Sequence, residues 1–360
     1  MKVLIYLGHP AHFYNYKNVI PRLKEDGHEV EVLIKKKDVL QELLDSSGIP
    51  YHNILKEGRA DSLPGIIWGT IKRAWRLNFF CADYHPDILT GTSVENSWIG
   101  KLRHIPVINI NEDDADVVPR YAKSSYPWAT EILTPIVCNN GKWDAKSIKY
   151  SGYHELAYLH PNNFTPDKSI VQRYIPTDRP YFLLRFTKLK AHHDGGVKGI
   201  SKKLALRLIE NLKPHGRVYI SSEGSLEPEF EPYRIPIRPI DIHHVMAFSD
   251  LFIGDGQTMA AEAGVLGIPF IRINSFVGRI GYLRELEDVY QLGYGIKPNE
   301  TERIFSTVQS LIDMPDRKVV FQKRRAKMLV DKIDVASFLT WFIENYPQSK
   351  LEFRNRSKSK

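Results

Sequence analysis

The residues best suited to chemistry stand in one run, Asp250 to Ile273, DLFIGDGQTMAAEAGVLGIPFIRI. Leu251–Ile253 give way to Gly254-Asp255-Gly256. Gln257 and Thr258 follow, and then a single acid, Glu262, among Ala260, Ala261, Ala263 and Gly264. The pattern predicts a strand, a tight turn, a helix and a second strand. Glycines let the backbone turn sharply and approach a ligand. A helix start presents free N–H groups and the positive end of its dipole, which favours a phosphate. Glu262 lies four residues past Thr258, one turn along on the same face. There its carboxylate can accept hydrogen bonds from a ribose diol. A closely packed helix with Glu262 merely exposed would show the same pattern.

Other candidates lie elsewhere. His9 and His12 flank Pro10-Ala11 after the first apolar run, where an imidazole can take a proton from a hydroxyl or simply bind backbone. Glu112, Asp113 and Asp114, in NINEDDAD, follow another apolar run. They can act as a general base or bind sugar hydroxyls, and crowding would raise at least one pKa if they were partly buried. A solvated loop or helix cap is the plainer alternative. Glu95 is a weaker candidate of the same kind. Lys188, Lys190 and Lys198, with Gly195 and Gly196, can cradle a diphosphate. His192, His193 and Asp194 lack the spacing of a metal-ligand set, and no metal is expected. In DIHHVMAF, the backbone near Ile242 and His243 is placed to hold a nucleobase, and His244 serves equally well as a cap or core residue.

The elements that must position these groups alternate. KVLIYL, HEVEVLI, YHNIL, PDILTG and PVINI read as strands, with helices over YNYKNVIPRLKEDG, DVLQELLDSSG and near VENSWIGKLRH. The proline-rich stretch Ser151–Pro180 reads as a connection, after which YFLLRF, SKKLALRLIENL, RVYIS, HHVMAF and LFIG restart the alternation. The fold class is α/β, with two doubly wound Rossmann-like domains facing a cleft. Residues 1–160 form the acceptor side, 161–345 the donor side, and 346–360 a basic tail, whose end RNRSKSK reads as disordered.

A chain of 360 residues with 42% hydrophobic and 26% charged residues suits two ordinary domains. The start MKVLIYLGHP has too short an apolar run for a signal peptide, and no stretch approaches a membrane span. Two cysteines, Cys81 and Cys138, suggest a reducing cytoplasm. A net charge of +8 favours anionic partners: nucleotide phosphates, acidic lipid surfaces or nucleic acid. No nucleic-acid motif is present, and none is expected as a partner. GIIWGTIKRAWRLNFF winds Ile67, Trp68, Ile71, Trp75 and Phe79 onto one arc and Lys72, Arg73 and Arg76 onto another. Such a helix can lie at a membrane interface, so peripheral contact through residues 65–80 is one reading. The ordinary expectation is packing against the sheet with the cations in water.

GDGQTMAAEAGVLGIP resembles the nucleotide-sugar signature of GT-B glycosyltransferases and non-hydrolysing UDP-sugar 2-epimerases, a DSGG…EE…LG.P element. The resemblance implies that Asp255 matches its acid, Gly256 to Thr258 its phosphate-facing turn, Glu262 its ribose-binding glutamate and Leu266–Pro269 its closing turn. Gly256, Gln257 and Thr258 depart from the usual serine and two glycines. YLGHPAHFYNYKNVIPRLKEDGHEVEVL resembles the opening of the transferase that adds N-acetylglucosamine to peptidoglycan precursors, whose loop also ends in a histidine, as here at His12. YSGYHELAYL resembles that enzyme's hinge segment. As a whole, residues 1 to about 345 are most similar to a family of bacterial and archaeal GT-B-like proteins labelled a domain of unknown function.

The resemblance implies metal-independent transfer of a sugar from a nucleotide-diphosphate donor, UDP-sugar foremost, to a surface-glycan or lipid-linked acceptor. His12 would be the base, with Glu112 or Asp113 as competitors. Asp255, Gly256, Gln257, Thr258, Glu262, His243 and Lys190 would hold the donor. A UDP-HexNAc 2-epimerase is the alternative, since acids in the corresponding area act in epimerases. A non-catalytic nucleotide-sugar-binding protein is the third.

Overall fold

Short runs of valine, isoleucine and leucine without alternation suit strands covered on both faces, and they become parallel sheets in this protein. The computed structural model describes residues 1–35, 39–55, 63–186, 199–222 and 224–358. In chain order its strands are β1 (Lys2–Leu7), β2 (Glu29–Lys35), β3 (His52–Leu55), β4 (Ile88–Gly91), β5 (Val107–Ile110), β6 (Glu131–Pro135), β7 (Ser147–Tyr150), β8 (Tyr181–Arg185), β9 (Arg217–Ser221), β10 (Leu251–Gly254), β11 (Phe270–Ile273) and β12 (Gly293–Ile296). The helices of the first half are α1 (Pro10–Lys17), α2 (Val19–Glu25), α3 (Leu40–Ser46), α4 (Leu63–Tyr84), α5 (Val94–Arg103), α6 (Pro119–Ser125) and α7 (Leu156–Leu159). Those of the second are α8 (Lys168–Gln172), α9 (Lys202–Leu212), α10 (Ile242–Phe248), α11 (Thr258–Leu266), α12 (Gly281–Arg284), α13 (Thr301–Ile312), α14 (Arg317–Asp331), α15 (Val335–Glu344) and α16 (Gln348–Lys358).

The chain divides into two units: Met1–Tyr158 with Ile333–Lys360, and Leu159–Lys332. The first unit holds the sheet β3-β2-β1-β4-β5-β6-β7, the second β12-β11-β10-β8-β9. Every pairing in both is parallel. Strand order reverses between β1 and β4 in the first sheet and between β8 and β10 in the second. The loops beyond those carboxyl ends are where doubly wound sheets bind ligands.

Residues 333–345 group with the first unit, whereas the sequence suggested a limit at 345 for the second. The reason is burial. Val335, Ala336, Leu339, Phe342 and Ile343 form the inward stripe of α15, which packs on α2. Phe338 stacks near Tyr150 at 5.1 Å. Gly152 admits this helix: a Cβ there would stand 2.5 Å from Val335 Cγ2. The basic tail also differs from the expected disordered end. It continues as α16, where Lys350 and Arg354 meet Glu131, a carboxylate fully buried on β6. A buried charge left unpaired would be costly, and these cations offset it.

α4 reverses the ordinary expectation for its two arcs. Ala74, Leu77 and Cys81 face the core. Arg73 turns inward to the buried Glu95, and Arg76 Nη1 donates to the Ile54 carbonyl at 2.6 Å. Ile67, Trp68, Ile71, Trp75 and Phe79 face outward, 46–68% exposed. Among the described residues, no helix is long and apolar enough to cross a membrane.

Candidate functional site

The first unit gathers titratable groups at the carboxyl edge of its sheet. β1 runs into Gly8 and then α1, whose N-cap is His9; His9 Nδ1 accepts from Ala11 N at 3.2 Å. His12 Nδ1 accepts from Gly8 N at 3.2 Å. A ring nitrogen that accepts carries no proton, so the neutral His12 ring holds its proton on Nε2 and presents a donor there. The arrangement suits gripping an oxygen better than removing a proton.

The three adjacent acids after β5 have separate situations. Glu112 Oε2 accepts from the His154 backbone N at 3.1 Å, and its carbonyl accepts from Cys138 Sγ at 2.8 Å. His154 Nδ1 lies 3.4 Å from Glu112 Oε1 and accepts from Asn15 Nδ2 at 2.9 Å. Burial pushes the His154 pKa down to about 3, so the ring is neutral. Asp114 Oδ1 accepts from Asn139 N at 2.7 Å and fixes the turn. Asp113 lies between these two. Burial foremost, and then the Asp114 charge, push its pKa up to about 6, which is well tuned for a base at neutral pH. Further along the chain, Ala115 and Asp116, and not the three acids, wall a cavity of about 280 Å³ together with Lys123, Asn139 and Trp143.

Glu95 is a structural residue. It accepts from Ser93 Oγ at 2.8 Å and from Arg73, pinning α4 to the start of α5. His154 and Asn15 were not among the sequence candidates. The signal for His154 was its place just after SIKY, a strand too short and too mixed to read as one.

In the second unit, β10 ends at Gly254 and the chain turns through Asp255 into α11. Asp255 is buried and acts as a brace: its Oδ2 accepts from Ile200 N at 3.4 Å, and its carbonyl from Asn274 Nδ2 at 2.9 Å. Asn274 Oδ1 in turn accepts from Arg272 Nη1 at 3.1 Å, and Arg272 Nε donates to Glu287 Oε1 at 2.9 Å. Gly199 lets the brace form, since a Cβ there would stand 2.4 Å from Asp255 Oδ2. Gly256, Gln257 and Thr258 are half-buried, and the N-cap Gln257 makes no side-chain capping bond. The first turn of α11 therefore stands at the β8/β10 reversal without a cap from its own N-cap side chain.

Glu262 and His243 come together, Oε1 to Nε2 at 2.9 Å, with both side chains about 5% exposed. The plain reading of an exposed Glu262 is overturned, because the helix turns it inward onto α10. His244 Nδ1 accepts from Asp167 N at 3.0 Å, and its ring lies 4.8 Å from Phe164, a capping role. Lys190, with Lys188, Lys198, His192, His193 and Asp194, follows β8 in the chain and lies outside the described residues. Among those described, no group of three or more His, Cys, Asp or Glu could hold a metal ion.

Known proteins resemble this chain along most of its length. An uncharacterized protein of Methanocaldococcus jannaschii is 24% identical over 285 residues, 75% of this chain and 81% of that one. The structure of UDP-GlcNAc 2-epimerase from Neisseria meningitidis bound to UDP-GlcNAc superposes with a TM-score of 0.67 at 18% identity, over 98% of this chain and 100% of the other. The S. aureus MnaA–UDP structure gives 0.70 at 14%, over 98% and 97%. The spinosyn rhamnosyltransferase SpnG complexed with spinosyn aglycone gives 0.61 at 15%, over 96% and 100%. At these identities the likeness is one of fold: two Rossmann-like α/β domains of the GT-B kind. The model of the family described as "Protein of unknown function (DUF354)" matches residues 1–333, and the chain belongs to that family.

Proposed function

We propose that the protein is a GT-B glycosyltransferase that moves a sugar from a nucleotide-diphosphate donor, a UDP-sugar foremost, to a hydroxyl of a glycan or lipid-linked acceptor. The observation that carries this reading is the start of α11 at the strand reversal, with the His243–Glu262 pair one turn further in. The first-turn N–H groups and helix dipole would bind the diphosphate and take up the negative charge that grows as the bond to the sugar breaks. His243 would hold the Glu262 carboxylate in one orientation for the ribose hydroxyls, since each carboxylate oxygen can accept more than one hydrogen bond. Asp255 would shape the turn from behind. Lys190, which follows β8 in the chain, would add positive charge.

On the acceptor side, Asp113 is the preferred base, because its raised pKa leaves it ionised yet basic near neutrality. The acceptor O–H would give its proton to Asp113 as the oxygen bonds to the anomeric carbon and the sugar–phosphate bond breaks. His12, donating from Nε2, would orient that oxygen, and Glu112, held by His154, would line the same edge. Structural neighbours that include a rhamnosyltransferase and a UDP-GlcNAc 2-epimerase support a nucleotide-sugar enzyme of this general class. The cluster of Glu112, Asp113 and His154 also keeps a 2-epimerase reading in play, because proton removal at C2 needs such groups.

Calorimetric titration of UDP tests the donor site. Glu262→Ala should weaken binding about tenfold or more, the value of a lost charge-assisted hydrogen bond; unchanged affinity would remove the assignment. Incubation with a UDP-HexNAc and no acceptor separates the reactions. A C2 epimer identifies the epimerase, while an intact donor consumed only with acceptor identifies the transferase. Binding without turnover under every condition would leave a non-catalytic binder.

A further inference from the structure

The outward arc of α4 has no role in either candidate site. It runs from Ile67 to Phe79, twelve rises of about 1.5 Å, or roughly 18 Å of helix. The helix cannot roll to bury it, because Arg73 is locked to Glu95 and Arg76 to the Ile54 carbonyl on the opposite side. Trp75 and Phe79 pack edge to face at 4.6 Å, so the outward surface is itself ordered.

We propose that this face of α4 docks the first unit onto an anionic lipid bilayer, with Trp68, Trp75 and Phe79 entering the headgroup–acyl boundary. This goes beyond the proposed reaction and does not depend on it. Three arguments select a bilayer. The first is area: aromatic side chains bury about 150–250 Å² each when fully covered. At 55–68% exposure, Trp68, Trp75 and Phe79 offer roughly 300–450 Å² together. That matches or exceeds the largest apolar patch of many monomers, yet falls short of the about 800 Å² per partner of a standard protein interface. A bilayer has no such minimum.

The second is charge. Lys72 lies on α4, whose one acidic residue, Asp83, stands in the last turn beyond the tryptophans. α5, which packs along α4, adds an exposed Leu102 and an exposed Lys101. The whole chain carries +8, so a negatively charged surface attracts it over about a Debye length. The third is residue type. Two tryptophans and a phenylalanine beside cations are the composition of interfacial helices, whose indoles sit at headgroup level.

Sedimentation of the full chain with sucrose-loaded vesicles tests the proposal, using phosphatidylcholine alone and phosphatidylcholine with phosphatidylglycerol. Wild type should bind the anionic vesicles and release as salt is raised. The double variant Trp68→Ser with Trp75→Ser should lose about tenfold or more in partitioning, given the exposed area removed. Its melting curve should match wild type, since both indoles are solvent-facing. Bromine-labelled lipid should quench wild-type fluorescence and not that of the double variant. Wild type that stays in the supernatant with both lipids overturns the proposal, and so does equal binding to both. A dimer in analytical ultracentrifugation that the double variant converts to monomer would also overturn it, because a second copy would then cover the face.

Discussion

At the carboxyl edge of the first sheet, Glu112, Asp113, Asp114 and His154 crowd together, and burial shifts the proton affinities of Asp113 and His154. At the same edge of the second sheet stand the start of a helix, a braced turn and one buried His–Glu pair. Both sheets are all-parallel and both reverse strand order at the edge in question, so topology does not account for the contrast. What differs is how charge is handled. The first edge holds one acid, Asp113, and one imidazole, His154, in surroundings that disfavour their charge, which stores proton-transfer capacity. The second ties its buried charges into pairs and leaves a dipole pointing outward, which suits an anion. One scaffold can thus be tuned for proton chemistry or for anion binding by loop residues alone.

The strongest way to break this comparison is through the brace of the second unit. Arg272→Ala should destabilise it by about 3–5 kcal/mol, because Glu287 is left buried without its partner. Chemical denaturation should show the loss, and Arg272→Met with Glu287→Leu should recover much of it. A loss below about 1 kcal/mol would mean the pair is not what holds the turn.

The next effect belongs to the first edge. His154 has an ordinary pKa of 6.5 and a folded value of about 3. Below pH 6.5 the unfolded chain takes up this proton and the folded ring does not. The stability it contributes is therefore lost as pH falls from 6.5 toward 3, at up to about 1.4 kcal/mol per pH unit. Relative to His154→Gln, wild type should lose about 2 kcal/mol between pH 6.5 and 5. Parallel pH profiles for the two proteins would contradict a neutral, buried ring.

Asp113 acts in the opposite sense. Its folded pKa of about 6 lies above the usual 3.8, so the folded state holds the proton longer and the cost of ionising it is relieved as pH falls through 6. Asp113→Asn should stabilise the protein at pH 7 by up to about 3 kcal/mol while lowering turnover about 100-fold or more if Asp113 is the base. Full turnover would move that role to Glu112 or His12. The smallest effect sharpens the second edge. Gln257→Asp puts a carboxylate at the positive end of α11 and should stabilise the free protein by about 0.3–1 kcal/mol, while weakening UDP binding through repulsion. Tighter UDP binding by this variant would argue against phosphate at that helix start.

The second edge was the more legible in sequence, for a physical reason. Its turn, helix start and Glu262 lie within one contiguous stretch, so local patterns carry the whole arrangement. His243 stands out in the sequence, but its pairing with Glu262 spans 19 residues and depends on how α10 packs against α11. The first edge is assembled from loops after β1, β4, β5 and β7, and no single motif spans them. β6 and β7 are hard to read in the sequence because EILTP ends in proline and SIKY mixes polar with apolar residues. The amphipathic pattern of α4 is legible in the sequence, but which of its arcs faces the sheet is not. Nothing local announces that Glu95 lies buried on the next helix and demands Arg73.

The return of the chain at Ile333 bears on how such a molecule is put together. Ile333 N donates to the Ser151 carbonyl at 2.9 Å, so the polypeptide leaves the first unit and rejoins it at neighbouring points. The second unit, Leu159–Lys332, is thereby a cassette inserted into the first. A gene truncated after residue 332 would keep the cassette whole and strip its host of α15 and the counter-ions of Glu131. The damage from a C-terminal deletion should therefore surface about 180 residues away in sequence, beside Tyr150 and Gly152.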